Sequence, residues 1–312
     1  MKIAIIDMGT NTFNLLIAEP IQDGKFKKIY SDRVPVKLGE GSINQGFISP
    51  IPYQRGLDAM ISYHNKIKEY DVTHVKAIAT AAIRSATNGQ QFTQEVKAFT
   101  GIDVEVIQGD REAELIFKGA KHADSTHGKD SLIMDIGGGS TEFMIVKNSE
   151  LVWKKSYPLG AALLLQKFNP ENPIEKNTLL KITSHLQQSL YELINNIITH
   201  QPKTLIGTSG AFDSFVDMLS AVHDTKAICD EQNSYEINLN QFFDLYNNVI
   251  SSTQDERKAM KGLIPMRIDM IVLSFILAKY IIDISSVKQF FCCTYSLKEG
   301  ALIEIIHANK HL

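Results

Sequence analysis

The distribution of apolar residues along the chain predicts an α/β protein that contains two similar β-hairpins. Leu132-Ile133-Met134 and the run from Phe143 to Val146 enclose three consecutive glycines, Gly137 to Gly139. Apolar runs on both sides of a glycine-rich tip are typical of a β-hairpin. A second copy stands near the N-terminus, where the apolar residues before Asp7 and the run from Leu15 to Ala18 enclose another tip.

The two hairpins form an internal repeat with a constant offset and no gap. The aligned pairs are Asp7 with Asp135, Gly9 with Gly137, and Thr12 with Ser140. An internal repeat indicates a duplicated architecture. Two similar half-domains whose hairpins face one another across a cleft resemble the actin-like ATPase superfold of sugar kinases, Hsp70 and actin, with its two ribonuclease H-like domains.

Hydrophobic periodicity predicts the remaining elements. Strands are expected at Lys25 to Lys37, Val75 to Ala79, Val104 to Ile107, Leu151 to Tyr157, Lys203 to Ile206 and Val287 to Cys292. Helices are expected at Pro52 to Tyr70, Gly109 to Gly119, Asn177 to Thr199, Phe212 to Leu219, Ile268 to Ile282 and Leu297 to His307.

Length and polarity predict two domains. A chain of 312 residues exceeds the usual size of one hydrophobic core. The segment from Ala120 to Asp130 is polar and aperiodic, so we take it as the boundary. Residues 1–122 with 298–312 are then predicted as the first domain, and residues 123–297 as the second.

The net charge, the cysteines and the apolar segments indicate which partners and which cellular compartment to expect. A net charge of −3 supplies no basic surface of the kind that holds nucleic acid. The three cysteines show neither metal-ligand spacing nor a disulfide framework, which favours a reducing compartment. Met1 leads directly into a predicted strand without a signal peptide, and the most apolar helix is too short to span a bilayer. We therefore expect a cytoplasmic protein that is not bound to a membrane.

The hairpin tips are candidate phosphate-binding loops. Glycines let backbone N–H groups turn toward an anion, and the neighbouring hydroxyls add donors. Asp135 and Glu142, with Asp7 as the counterpart of Asp135, are candidate ligands of Mg²⁺ or another divalent cation. The alternative is an ordinary glycine-rich turn. The candidate phosphate-binding residues in the tips are Gly9, Thr10, Asn11, Thr12, Gly137, Gly138, Gly139, Ser140 and Thr141.

Three further segments hold candidate site residues. Arg84 follows a buried strand, where α/β proteins place ligand-binding groups, although a surface arginine would look the same. Glu112 shares a helical face with apolar residues, which suits a general base pointing inward and equally a partner of the helix dipole. Glu114 lies on the solvated face. Gly207-Thr208-Ser209-Gly210 could hold a phosphate or a nucleoside, or could be a tight strand–helix connection.

The order and spacing of these segments resemble one family. The matching segments are Asp7–Thr12, Leu38–Gly41, Thr80–Asn88, Gly109–Gly119, Asp135–Glu142, Pro158–Ala161, Gly207–Gly210, Arg267–Asp269 and Ser296–Gly300. Each is a weak signal, but together they are specific. The chain resembles the exopolyphosphatase/guanosine pentaphosphate phosphatase (Ppx/GppA) family in its short form, without appended helical domains.

The resemblance implies hydrolysis of a terminal phosphoryl group with Mg²⁺. The substrate would be inorganic polyphosphate or, as the alternative, guanosine pentaphosphate (pppGpp). By position, Glu112 matches the general base, Asp135 and Glu142 the acidic pair, and Arg84 a phosphate-binding arginine. No Cys, Ser or His stands out as a covalent nucleophile, so direct attack by water is expected.

Two departures from the family pattern bear on the site. Lys298 replaces a common arginine and loses bidentate geometry. The segment from Gly207 to Ala211 lacks a glycine and a terminal threonine that many members have, which leaves a nucleoside contact there open.

Two rival functions are compatible with the same superfold. A kinase would transfer the phosphoryl group to an acceptor other than water. A nucleotide sensor would bind pppGpp or ATP without turnover, although it would not need Glu112, Asp135 and Glu142 together. The sequence leaves open the chain length of the polyphosphate and the oligomeric state, a homodimer included.

Overall fold

The chain divides by compactness into two units. A computed structural model describes residues 1–125, 128–225 and 232–309. Unit 1 comprises Met1–Gly119 and Leu297–Leu312, and unit 2 comprises Ala120–Ser296. The division into domains of residues 1–122 with 298–312 and residues 123–297 stays a prediction. Cys229, two residues of the predicted boundary (126 and 127) and the C-terminal residues 310–312 lie outside the described residues.

Strands and helices follow one another in the order that the apolar pattern predicts, with additions. They are β1 (Ile3–Met8), β2 (Phe13–Pro20), β3 (Phe26–Val34), α1 (Pro50–Glu69), β4 (His74–Ala79), α2 (Ala81–Ser85), α3 (Gly89–Thr100), β5 (Val104–Val106), α4 (Gly109–His122), β6 (Ser131–Ile136), β7 (Thr141–Lys147), β8 (Glu150–Tyr157), α5 (Ala161–Phe168), α6 (Lys176–Ser189), α7 (Tyr191–His200), β9 (Thr204–Thr208), α8 (Ser209–His223), β10 (Ser234–Glu236), α9 (Leu239–Ile250), α10 (Gln254–Ala259), α11 (Ile271–Ile284), β11 (Gln289–Cys293) and α12 (Leu297–Asn309).

Each unit is built on one mixed sheet, and the two sheets share a strand order. Unit 1 has the order β3-β2-β1-β4-β5, and unit 2 has β8-β7-β6-β9-β11 with β10 added at the edge. In both, three antiparallel strands are followed by two strands parallel to the first. This is the ribonuclease H-like order, so the predicted α/β fold class with a duplicated domain is confirmed.

The central strands are apolar because both of their faces are covered. β6 is buried at every position, and β1 is buried at all but Asp7. Helix α11 is buried along most of its length in the core of unit 2. In unit 1, Tyr63 of α1 is fully buried and its hydroxyl donates to the Phe13 carbonyl at 2.8 Å. Within the described part of the chain, no helix is long and apolar enough to cross a membrane.

The structure corrects one predicted helix and adds elements. The pattern from Asn177 to Thr199 is two helices, α6 and α7, because Leu190 leaves helical geometry with φ −97° and ψ 16°. Leu190 is fully buried there, so the break keeps the apolar residues of both helices on the core. Helices α2, α3 and α5 and strand β10 were not predicted. α2 and β10, with five and three residues, are too short for periodicity to identify.

Helices α12 and α4 approach closely within unit 1, which gives a stability prediction. A Cβ at Gly300 would lie 1.8 Å from the Leu115 carbonyl oxygen, so a larger residue requires the backbones to move apart. We expect Gly300→Ala to destabilise the protein by about 1–3 kcal/mol or more, as overpacking does. Thermal unfolding measures the effect. The exposed His307→Ala in the same helix serves as control, and an unchanged melting temperature for Gly300→Ala would contradict the close packing.

Candidate functional site

In unit 1, the carboxyl ends of the parallel strands bring the candidate residues to one edge of the sheet. The first hairpin tip follows β1, Arg84 lies in α2 just after β4, and Glu112 lies in α4 just after β5. The Thr80 amide donates to the Met8 carbonyl at 3.3 Å, which ties the start of α2 to the hairpin. This edge is where open α/β sheets bind ligands.

Unit 2 repeats this placement. The second hairpin tip follows β6, Thr208 and Ser209 stand where β9 becomes α8, and Ser296 follows β11. The two units therefore each gather polar residues at the same edge of the same type of sheet.

The two hairpin tips are closed by the same hydrogen bond. The Gly9 amide donates to the Thr12 carbonyl at 3.0 Å, and the Gly137 amide donates to the Ser140 carbonyl at 3.0 Å. A Cβ at Gly9 would lie 3.0 Å from the Thr12 oxygen and one at Gly137 would lie 2.9 Å from the Ser140 oxygen, so both turns favour glycine. The repeat that aligns these residues in the sequence is thus also a repeat of backbone geometry.

The second tip rests on the start of α5 through its carbonyl groups. Gly137 O accepts from the Ala161 amide at 2.9 Å, and Gly138 O accepts from the Ala162 amide at 3.0 Å. The amides of Gly138 and Gly139 donate to no acceptor in the described part of the chain. With the carbonyls bound to α5, these N–H groups can donate to an anion.

A row of side chains beside each tip differs between the units. In unit 1, Asp7 pairs across the strands with Asn14, and Asn14 with Arg33. The Asn14 amide donates to Asp7 Oδ2 at 3.1 Å, and Arg33 Nε donates to Asn14 Oδ1 at 3.3 Å. Asn14 and Arg33 are not among the predicted site residues, although the offset of the repeat aligns Asn14 with Glu142. The Arg33 guanidinium thus places a positive charge in this row of side chains in unit 1.

The corresponding row in unit 2 carries two carboxylates and a serine hydroxyl. Asp135 pairs across the strands with Glu142, and Glu142 with Ser156. The Ser156 hydroxyl donates to Glu142 Oε1 at 2.6 Å, and Glu142 is 1% exposed. A buried carboxylate pair of this kind offers the oxygen ligands by which Mg²⁺ is usually bound.

Asp135 accepts three hydroxyl donors on one oxygen. Thr208 Oγ1, Ser209 Oγ and Ser296 Oγ lie 3.0, 2.6 and 2.9 Å from Asp135 Oδ2. Burial raises the pKa of Asp135 above its ordinary value, and the three hydroxyl groups oppose that shift. The sequence analysis placed Thr208 and Ser209 on a phosphate and did not consider Ser296 as a site residue.

The turn from Gly207 to Gly210 is tightly packed. A Cβ at Gly207 would overlap the Phe212 ring at 1.9 Å, and a Cβ at Gly210 would overlap the Arg267 guanidinium at 1.6 Å. Packing therefore accounts for both glycines, which agrees with the tight-connection alternative. A phosphate contact of this turn stays a prediction.

Arg84 and Glu112 form an ion pair in unit 1. Arg84 Nη1 donates to Glu112 Oε2 at 3.1 Å and to the Ile107 carbonyl at 2.9 Å. Their side chains are 19% and 10% exposed, so Arg84 is not a surface residue in a mobile loop. Its Nε and Nη2 groups donate to no residue in the described part of the chain and can donate to a phosphate. Glu114 lies on the other face and pairs with Arg111 at 3.1 Å.

Lys298 adds a second cation to unit 1. Its ammonium group lies 3.0 Å from Glu299 Oε1, and its side chain is 21% exposed. Burial lowers the pKa of Lys298, but the carboxylates of Glu299 and Asp7 outweigh burial and raise it. Lys298 therefore stays charged beside the first hairpin, where the family pattern has an arginine.

Comparison with known proteins identifies the family. A model of the Ppx/GppA phosphatase family matches residues 17–309. The chain belongs to the Ppx/GppA phosphatase family. The resemblance inferred from the spaced motifs is thereby confirmed.

Similar proteins carry three different names. The exopolyphosphatase of Cytophaga hutchinsonii is 37% identical with a TM-score of 0.95, and the alignment covers 99% of this chain and 98% of that one. The bifunctional 3-dehydroquinate synthase/phosphatase of Fusobacterium nucleatum is 33% identical over 294 residues, 90% of this chain and 43% of the relative. The guanosine-5'-triphosphate,3'-diphosphate pyrophosphatase of Vibrio vulnificus is 27% identical over 218 residues, 70% of this chain and 44% of the relative. The chain thus spans less than half the length of these two curated relatives.

The residues of this Ppx/GppA member fit a divalent cation that keeps part of its water shell. Among the described residues, no three His, Cys, Asp or Glu side chains form a cluster that could hold a metal. Mg²⁺ needs no such cluster, because it is usually bound by one or two carboxylates together with water and substrate phosphates. Asp135 and Glu142 supply that pair in unit 2.

Proposed function

We propose that the protein is a metal-dependent exopolyphosphatase that releases the terminal phosphoryl group of inorganic polyphosphate by direct attack of water. The observation that carries the proposal is the pair of matching hairpin tips, one beside a carboxylate pair and free amides, and the other in the unit that holds Arg84 and Glu112. The Cytophaga hutchinsonii exopolyphosphatase, which aligns over nearly the whole chain, supports the choice of substrate.

The proposed mechanism relies on positioning and on charge. Glu112 would accept a proton from the attacking water, and Arg84 Nη1 orients its carboxylate through a hydrogen bond. In unit 1, Nε and Nη2 of Arg84 would donate to phosphate oxygens. In unit 2, the amides of Gly138 and Gly139 would donate to phosphate oxygens. The remaining tip residues, from Gly9 to Thr12 and from Ser140 to Thr141, stay proposed phosphate contacts.

The metal would be held by Asp135 and Glu142. For Asp7, which lies in unit 1 and accepts from Asn14, a role as a metal ligand stays a prediction. When bound, a divalent cation neutralises charge that develops on the phosphate oxygens. This neutralisation matters here because polyphosphate carries about one negative charge per phosphate, whereas the protein has a net charge of −3.

Hydrolysis of pppGpp is the alternative function. The Vibrio vulnificus relative carries the name of that activity, but it matches only 70% of this chain. The sequence left a nucleoside contact near Gly207–Gly210 open, and both glycines there lie close to other side chains. The preference for polyphosphate, which has no nucleoside, rests on the similarity to the Cytophaga hutchinsonii exopolyphosphatase. We place this activity in the cytoplasm, as the cysteine pattern predicts.

One assay separates these functions. Phosphate release is measured in parallel from long polyphosphate, short polyphosphate, pppGpp and ATP, with and without Mg²⁺. We expect release from polyphosphate with water as the only acceptor. Turnover that requires another acceptor would indicate a kinase, and binding of pppGpp without turnover would indicate a sensor. Faster release from pppGpp than from polyphosphate would favour the alternative.

Arg84→Ala should mainly raise KM for the polyanionic substrate. Loss of a charged hydrogen bond costs about 1.5–3 kcal/mol, which corresponds to a rise in KM of roughly 10- to 150-fold. Arg84→Lys is the matched variant, because it keeps the charge but not the planar group that reaches both Glu112 and a phosphate. Steady-state kinetics on polyphosphate measures both variants. An unchanged KM for Arg84→Ala would indicate that Arg84 does not bind the substrate and is only a structural partner of Glu112.

A further inference from the structure

The hydroxyl cluster on Asp135 makes the two oxygens of this carboxylate different. All three hydroxyl donors contact Oδ2, whereas no described residue of unit 2 donates to Oδ1. The torsion that turns a carboxylate is broad and roughly two-fold, so the backbone alone does not fix which oxygen faces a ligand. Donors that bind one oxygen fix that choice.

The backbone at Ser209 is adapted to this contact. Ser209 has φ +68°, in the left-handed region that favours glycine. Among the described residues, the Ser209 hydroxyl bonds to Asp135 and to the Ser296 hydroxyl, which lies 2.9 Å away. A serine kept in an unfavourable conformation at the edge where a site is expected indicates a role for its side chain.

Ser296 reaches the same oxygen from a distant part of the sequence. It lies 161 positions from Asp135, is 8% exposed, and immediately precedes α12 at the end of unit 2. Thr208, the third donor, lies in β9 directly beside Asp135 in the sheet and is placed by strand register alone. Ser209, in contrast, is placed by the turn after β9, and Ser296 by the segment after β11.

We propose that Ser209 and Ser296 are positioning residues that bind Oδ2 of Asp135, so that Oδ1 is presented to a divalent cation at the second hairpin. The proposal rests on the proposed function for the identity of the substrate. The test of metal binding does not depend on that function. Groups that orient a metal ligand through hydrogen bonds change metal affinity or activity by about 10- to 100-fold when they are removed.

A structural role is the competing explanation, because a buried carboxylate needs hydrogen-bond donors in any case. In that role, loss of a hydroxyl would lower the melting temperature. Metal affinity would then fall only to the extent that the protein unfolds. In the positioning role, affinity falls in a protein that remains folded. Substitution at Ser209 separates the two, because both glycine and alanine remove the hydroxyl but only glycine relieves the left-handed backbone.

The experiment uses the full chain with Mn²⁺ alone as the probe. Mn²⁺ affinity by titration calorimetry and melting temperature are measured for Ser209→Gly, Ser209→Ala and Ser296→Ala. Ser131→Ala is the matched control, because Ser131 is a buried serine on the same strand as Asp135 whose hydroxyl donates to the Lys129 carbonyl at 2.8 Å.

We expect all three site variants to lose Mn²⁺ affinity by about 10- to 100-fold and the control to keep it. Ser209→Gly should melt at a higher temperature than Ser209→Ala and yet lose the same affinity. In assays with polyphosphate, the site variants should need more Mn²⁺ for half-maximal rate.

Three results would overturn the proposal: a wild-type chain that binds no Mn²⁺, site variants with unchanged affinity, or affinity losses that follow the melting temperature and include Ser131→Ala. Failure of the proposed function would look different. A wild-type chain that binds Mn²⁺ but releases no phosphate from any substrate would contradict that function, and the affinities would still decide the role of the two serines.

Discussion

Glu112→Gln is expected to lower kcat by about 10²- to 10⁴-fold, the usual contribution of a general base. Glutamine keeps the volume of the side chain and an oxygen that can accept from Arg84 Nη1, which lies 3.1 Å from the present carboxylate. It loses the negative charge and with it the ability to take a proton from water. The fold and substrate binding should therefore change little while the chemical step slows.

Glu114→Gln is the matched control for this experiment. Glu114 lies in the same helix, but it is half exposed and pairs with Arg111, which also pairs with Glu304. An exposed pair of this kind within a helix contributes only a few tenths of a kcal/mol.

The measurements are kcat on polyphosphate and the melting temperature of both variants. Small and equal losses of activity would reduce Glu112 to a partner of the helix dipole. A loss confined to Glu114→Gln would show that the wrong carboxylate had been assigned. A large loss for Glu112→Gln at an unchanged melting temperature would support the base.

Asp135→Asn should weaken binding of the metal and lower turnover more than any other substitution in unit 2. Asparagine keeps the shape of the side chain, but its neutral amide offers a cation far less than the carboxylate does. We expect Mg²⁺-dependent activity to fall by at least about 100-fold, the upper end of what removal of a supporting hydrogen bond costs. Glu142→Gln, the second residue of the pair, should act in the same direction.

Asp130→Asn controls for the loss of one negative charge near β6. Asp130 immediately precedes this strand, at the end opposite to Asp135, and its carboxylate accepts from the Asn148 amide at 3.2 Å. Activity is measured against Mg²⁺ concentration for the three variants. Wild-type activity of both Asp135→Asn and Glu142→Gln at limiting Mg²⁺ would exclude the pair as the metal site.

The duplicated fold could be predicted from local sequence because β-hairpins are local structures. β1 and β6 have the same length and stand at the same positions of the repeat, and their tips are closed by equivalent bonds. Apolar runs, glycine and an acidic residue in a fixed order within about 15 positions were enough to identify them. The same motifs, spaced along the chain, indicated the Ppx/GppA family, which the family match confirms.

Short elements could not be predicted in the same way. β10 has three residues, and the break between α6 and α7 occupies one residue, Leu190. A periodic pattern needs more residues than these elements contain. At Leu190 the helical pattern even continues through the break, because the core on which both helices pack is the same.

The sequence by itself determined the strands, the repeat, the family and the residue types that the site can use. Only the tertiary structure decided which of them meet. Arg84 and Glu112 are 28 positions apart, and Ser296 is 161 positions from the carboxylate that it contacts. The Arg267 guanidinium approaches Gly210 and the Leu115 carbonyl approaches Gly300, although neither residue is a sequence neighbour of its glycine. The physical reason is that periodicity records which face of an element is buried, whereas a contact between side chains depends on how strands and helices pack.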